Sequence, residues 1–107
     1  MMNTFCLITT TYPDEQSAKT IIHLLLEQKL AACVQMMPVQ SFYRWEGKLC
    51  ESNEQLLLIK TRSSLFKTIE ALILKHHPYT TPQLIQIPIE QGFEAYLNWI
   101  ADETALR

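Results

Sequence analysis

The chain has 107 residues, of which 48% are hydrophobic and 19% charged, with a formal net charge of −2. That length and composition fit one globular domain over residues 1–107 with a single core, and they exclude a disordered tail. The few basic residues are scattered, so neither a nucleic-acid footprint nor a polybasic membrane patch is indicated. Cys6, Cys33 and Cys50 are an odd set without C-x-x-C spacing, which argues against a disulfide framework or a sequence-local zinc knuckle and for a reducing cytoplasm. Met1, Met2 and Asn3 give no basic start to a leader, and the apolar run after them is too short for a signal peptide. Nowhere does an apolar span approach the roughly 18 residues of a membrane helix.

Residues 5–11 alternate β-branched and aromatic side chains and predict a first strand. Tyr12-Pro13-Asp14 breaks it, and Asp14 is placed to cap a helix in which Ala18, Ile21, Ile22, Leu25 and Leu26 recur at helical spacing through Lys29. His23 lies on that helix's polar face, where solvation explains it. Residues 31–37 start a second strand, which Pro38 is expected to bend or split before it resumes over 39–48. A polar tip over 50–55 then turns the chain into a third strand, 55–61, whose run Leu56-Leu57-Leu58-Ile59 suggests burial on both faces. Ser63 or Ser64 can cap a second helix striped by Leu65, Phe66, Ile69, Leu72 and Ile73, and it must end before Pro78. Residues 83–89 alternate as a fourth strand, and residues 93–103 place Tyr96, Leu97 and Ile100 at helical spacing.

Strand, helix, strand, strand, helix, strand is the split pattern of an α+β ferredoxin-like βαββαβ sandwich, here with a short C-terminal helix added. Two helices cover only one face of such a sheet, so something else must cover the other. The hairpin arm from Cys33 to Glu46 would extend ~45 Å, against ~24 Å for the first helix. Its overhang carries Phe42, Tyr43 and Trp45, an apolar patch of the kind that marks an association surface. Closed self-association is the simplest cover.

Six segments then resemble one family: Tyr12-Pro13-Asp14-Glu15, Leu30-Ala31-Ala32-Cys33-Val34, Tyr43-Arg44-Trp45-Glu46-Gly47-Lys48, Leu58-Ile59-Lys60-Thr61, His77-Pro78-Tyr79 with Thr81-Pro82, and Tyr96-Leu97-Asn98-Trp99-Ile100. In order and across nearly the whole chain, they are similar to the CutA family of divalent-cation tolerance proteins. The resemblance implies a ferredoxin-like homotrimer in which long strands of neighbouring subunits pair. It also implies a cytoplasmic location in bacteria, a link to tolerance of copper and other divalent metals, and structural kinship with the PII signalling proteins. In copper-binding members the ligands are a cysteine near the end of the first strand and the histidine pair before Pro-Tyr. Here the pair is His76 and His77, while Thr10 stands at the cysteine's position and Pro82-Gln83 replaces the family's frequent Pro-Glu. Cys6 shares a strand face with Thr10 but lies ~13 Å away and is a poor substitute.

His76 and His77 are thus the candidate ligands for copper or another divalent metal, since neutral imidazole suits copper, zinc and nickel. They could equally serve the end of a helix, where a histidine meets the last carbonyls, and adjacent helical residues do not chelate together. Tyr43, Trp45 and Tyr79 could line a ligand pocket, as could Trp99, or pack between subunits. Lys60 could meet an anionic ligand at a subunit cleft or lie along the surface as a solvated cation. Cys6 and Cys33 read as small buried hydrophobes, and Cys50 as the most exposed thiol. With only Gly47 and Gly92 there is no P-loop and no dinucleotide fingerprint, and no hydrolase motif is present. The expectation is a non-enzymatic trimer binding a divalent metal, or alternatively a PII-like signalling or scaffold trimer binding a small anion or protein in its clefts.

Overall fold

Two residues of left-handed backbone, Glu46 at φ 51° and Gly47 at φ 77°, set the sheet's longest feature. A two-residue turn with positive φ at both central positions matches the twist of the strands it joins, and glycine adopts it without steric cost. In the computed structural model, which describes residues 4–105, this turn joins β2 (Cys33–Trp45) to β3 (Lys48–Arg62). The N-terminal residues read above for a leader, Met1 to Asn3, lie outside the described residues. The polar tip expected over 50–55 is therefore corrected: these residues are strand, paired in register opposite Tyr43 back to Pro38. Nor does Pro38 split β2, since it sits opposite Gln55 in an unbroken ladder. β2 is the edge of the sheet, where a residue without an N–H is tolerated.

The other elements are β1 (Phe5–Tyr12), α1 (Glu15–Glu27), α2 (Phe66–His76), β4 (Leu84–Pro88) and α3 (Glu94–Glu103). The strands order as β2-β3-β1-β4 with every neighbour antiparallel. Asp14 caps α1 as expected, its Oδ1 accepting the Ser17 N–H at 2.8 Å. α1 ends through Lys29 at φ 56°, and the Leu30 N–H returns to the Leu25 carbonyl at 2.9 Å. Neither serine caps α2. A 3-10 turn over Ser63–Leu65 leads into it instead, and the Ser63 N–H donates to the Thr4 carbonyl at 2.8 Å.

Strand alternation divides the sheet into two faces. Cys6, Ile8 and Tyr12 of β1 and Leu57 and Ile59 of β3 are fully buried beneath Ile21, Leu25, Ile69 and Ile73 of the helices. Each such side chain contributes about 1.5–3 kcal/mol on burial, so this layer holds the fold. On the other face α3 is the only helix among the described residues, with Ile100 as its one fully buried apolar side chain. Arg62 fastens it there, Nη2 donating to the Ala101 carbonyl at 2.8 Å and Nε to Thr104 Oγ1 at 2.9 Å. Elsewhere on that face Ile85 is 52%, Ile87 44% and Met37 44% exposed.

The β1–β3 ladder stops at Tyr12↔Gln55, while β2–β3 continues from Val39↔Glu54 to Trp45↔Lys48. The hairpin overhangs as its length required, and the longest dimension of the chain is 44 Å. Phe42, Tyr43 and Trp45 are all exposed on it.

Candidate functional site

The residue before a proline is driven out of the helical region, and His77 precedes Pro78. His77 accordingly sits at φ −82°, ψ 136°, whereas His76 is still the last residue of α2. That single change of backbone region separates the two imidazoles. His76 is exposed and lines a cleft of about 380 Å³ with Asp14, Gln16, Ser17, Thr20 and Ile21, between the start of α1 and the end of α2. The Ser17 N–H at its carboxylate holds Asp14 below the usual carboxylate range.

His77 turns inward. Its Nε2 lies 2.8 Å from the Thr11 carbonyl oxygen, and the Tyr79 N–H donates to its Nδ1 at 3.1 Å. A carbonyl only accepts and a backbone N–H only donates, so the ring carries its proton on Nε2 and is neutral. The last β1–β4 pair is Thr10↔Leu84, so the imidazole takes the next position along the β1 edge. It stacks on Tyr12 with centroids 4.2 Å apart and meets Tyr79 at 4.9 Å. Burial pushes the His77 pKa down, and the Thr11 carbonyl and Glu54 pull it partly back.

The Tyr79 hydroxyl donates to Glu54 Oε2 at 2.8 Å, and Glu54 is only 8% exposed. Burial, then the Glu54 carboxylate, push the Tyr79 phenol up. Burial alone does the same to Tyr12, whose hydroxyl has no partner among the described residues. Thr10 is fully buried, and its Oγ1 is likewise unpartnered among them.

The histidine pair read from the sequence is therefore not a pair in space. His77 has no nitrogen lone pair left for a metal, because Nδ1 accepts from Tyr79 and Nε2 bears the proton shared with Thr11. Among the described residues no group of three or more His, Cys, Asp or Glu is close enough to hold a metal ion. Of the residues read as a ligand pocket, Tyr43 and Tyr79 reach neighbouring same-face positions of β3, Ser52 and Glu54, while Trp45 and Lys60 stand apart from them within one chain. Tyr43 touches Ser52 at 3.3 Å, Trp45 pairs opposite Lys48 at the end of the hairpin, and Tyr79 is committed to Glu54. Lys60 lies six residues along β3 from Glu54, ~20 Å away, with Nζ 5.4 Å from the Tyr96 ring centroid. Cys6 is buried, Cys33 and Cys50 are half-buried, and all three are free.

Sequence reasoning missed Glu54 and took Asp14 only as a cap. The Glu46-Gly47 step was the available signal for Glu54, because a turn placed there makes position 54 a strand residue.

An antiparallel β2-β3-β1-β4 sheet with two helices on one face and an overhanging hairpin defines a ferredoxin-like α+β protein. Residues 6–103 match the family model described as CutA1 divalent ion tolerance protein, and the chain belongs to that family. It is 44% identical over 103 residues to the divalent-cation tolerance protein CutA of Archaeoglobus fulgidus, covering 96% of this chain and 98% of that one. It superposes on the CutA1 crystal structure from the psychrotrophic bacterium Shewanella sp. SIB1 with a TM-score of 0.93 at 41% identity, over 97% and 98% of the two chains. A solved Archaeoglobus fulgidus structure described as a periplasmic CutA matches at TM-score 0.91 and 40% identity, over 92% and 97% of the chains. No described helix is long and apolar enough to cross a membrane.

Proposed function

We propose that this chain is one domain of a non-enzymatic homotrimer that meets copper or another divalent metal at the cleft between α1 and α2. His76 would be the imidazole ligand there, with the Asp14 carboxylate beside it and water or a neighbouring subunit completing the shell. The observation that carries this is the divergence of the two histidines: His76 is exposed in a cleft that also holds a carboxylate, while both nitrogens of His77 are engaged. Imidazole with carboxylate oxygen suits copper and zinc. The trimer is supported by the uncovered sheet face and the overhanging hairpin, and a reducing cytoplasm by three free cysteines. The low net charge supports neither a nucleic-acid partner nor a membrane partner.

Copper titration by calorimetry on two single variants tests the site. His76→Ala should lose at least about tenfold in affinity, and His77→Ala should keep its affinity while melting lower. The reverse pattern would sink the assignment.

A second reading has one observation in its favour. Lys60 has no carboxylate partner among the described residues, and its ammonium lies over the Tyr96 ring of α3. In an assembly it could join Tyr43, Trp45 and Tyr79 of other subunits around a small anion, as in a PII-like signalling trimer. Thermal shift separates the two, because anionic metabolites would raise the melting temperature where divalent metals would not.

A further inference from the structure

Glu54 is a carboxylate that the chain buries without giving it a cation. It is 8% exposed, one oxygen takes the Tyr79 hydroxyl at 2.8 Å, and no hydrogen bond among the described residues engages the other. The ion pairs among those residues are Lys19–Glu15 and Lys67–Glu70, both on helices. A carboxylate this far out of water is costly unless its charge is met. Strand alternation places Glu54 with Leu56, Leu58 and Lys60, opposite in sense to the buried Leu57, Ile59 and Thr61. It therefore belongs to the face that α1 and α2 leave uncovered.

The cations on that face of β3 are few. Arg62 is committed to Ala101 and Thr104, and Lys60 lies over Tyr96. Lys48 is exposed beside the turn, paired across from Trp45, and has no carboxylate partner among the described residues. Six residues separate it from Glu54, an even number, so both project from the same face. The same six residues of strand put them ~20 Å apart, so they cannot meet within one chain.

We propose that Glu54 receives the ammonium of Lys48 from a second copy of this chain, so that the overhanging hairpin carries the cation that completes its neighbour's Glu54–Tyr79 site. The inference rests on the trimer proposed above. Tyr79 holds the carboxylate in place, and His77 holds Tyr79 by accepting its N–H. The pair keys the register of the assembly, because a hairpin docked elsewhere leaves a buried carboxylate and a desolvated ammonium both unmatched.

Sedimentation equilibrium of the full chain across a urea series at low salt tests this, because an uncharged denaturant leaves the ion pair unscreened. Glu54→Gln removes the charge but keeps an acceptor for Tyr79, and Lys48→Met keeps the apolar stem at an exposed site where folding is not at risk. Each should raise the trimer dissociation constant by more than about tenfold. The double variant should be no worse than the weaker single, and Glu54→Lys with Lys48→Glu should recover part of the loss. Singles that leave dissociation unchanged, or whose effects add independently, overturn the pairing while a trimeric wild type leaves the assembly standing. A monomeric wild type overturns both.

Discussion

At the scale of single residues, the two histidines that are adjacent in the chain have different environments. Nothing in the run Lys75-His76-His77-Pro78 says that one ring will find a carbonyl 66 positions earlier, although Pro78 does say that the helix stops there. Alternation and capping are local and legible; a contact from α2's end to Thr11 is not. His77→Ala removes two hydrogen bonds and a stacked ring, and it should cost about 2–3 kcal/mol in urea unfolding. The pH dependence follows from the depressed pKa of the folded ring. Its unfolded value is about 6.5. Above that both states are neutral and stability is complete; as pH falls below it the unfolded chain binds a proton that the folded ring refuses. Stability is lost from there down to the folded pKa and then levels off. A urea midpoint followed from pH 8 to 5 should therefore fall more steeply below about pH 6.5 in wild type than in His77→Gln; parallel curves would refute the neutral-ring assignment.

At the scale of elements, the strands and helices were legible because their apolar periods differ, and the errors lay where one element's limits depend on another. Residues 50–55 look like a loop by composition, yet they are strand because β2 lies alongside them. Pro38 looks like a break, yet β2 has a free edge that tolerates it. Ser63 looks like a cap, yet it lies inside the 3-10 turn that precedes α2, and its buried hydroxyl has no hydrogen-bond partner among the described residues. The turn carries the sharpest test. Nothing lies within 4 Å of a Cβ built on Gly47, so Gly47→Ala would feel only its φ of +77° and should cost about 1 kcal/mol by thermal unfolding. Glu46→Asn, at φ 51°, should be neutral or slightly stabilising. α3 rests on Ile100 and on the two Arg62 bonds, so Arg62→Met should raise hydrogen exchange at residues 94–103 well before it affects β1 or β3.

At the scale of the molecule, one sheet face is sealed by α1 and α2 and the other is left with Met37, Tyr43, Trp45, Ile85 and Ile87 in water. That asymmetry was legible from the element count alone, since two helices cannot cover both faces. What the chain could not disclose was where a neighbour's atoms fall, because assembly contacts leave no period in a single sequence. The trimer proposed above sets further copies of this chain on that face. The mass in solution at micromolar concentration of wild type and of Ile87→Glu, measured by sedimentation equilibrium, decides whether it does. Three chains are expected for the wild type and smaller species for the variant; a monomeric wild type, or a variant that stays trimeric, would rule that assembly out.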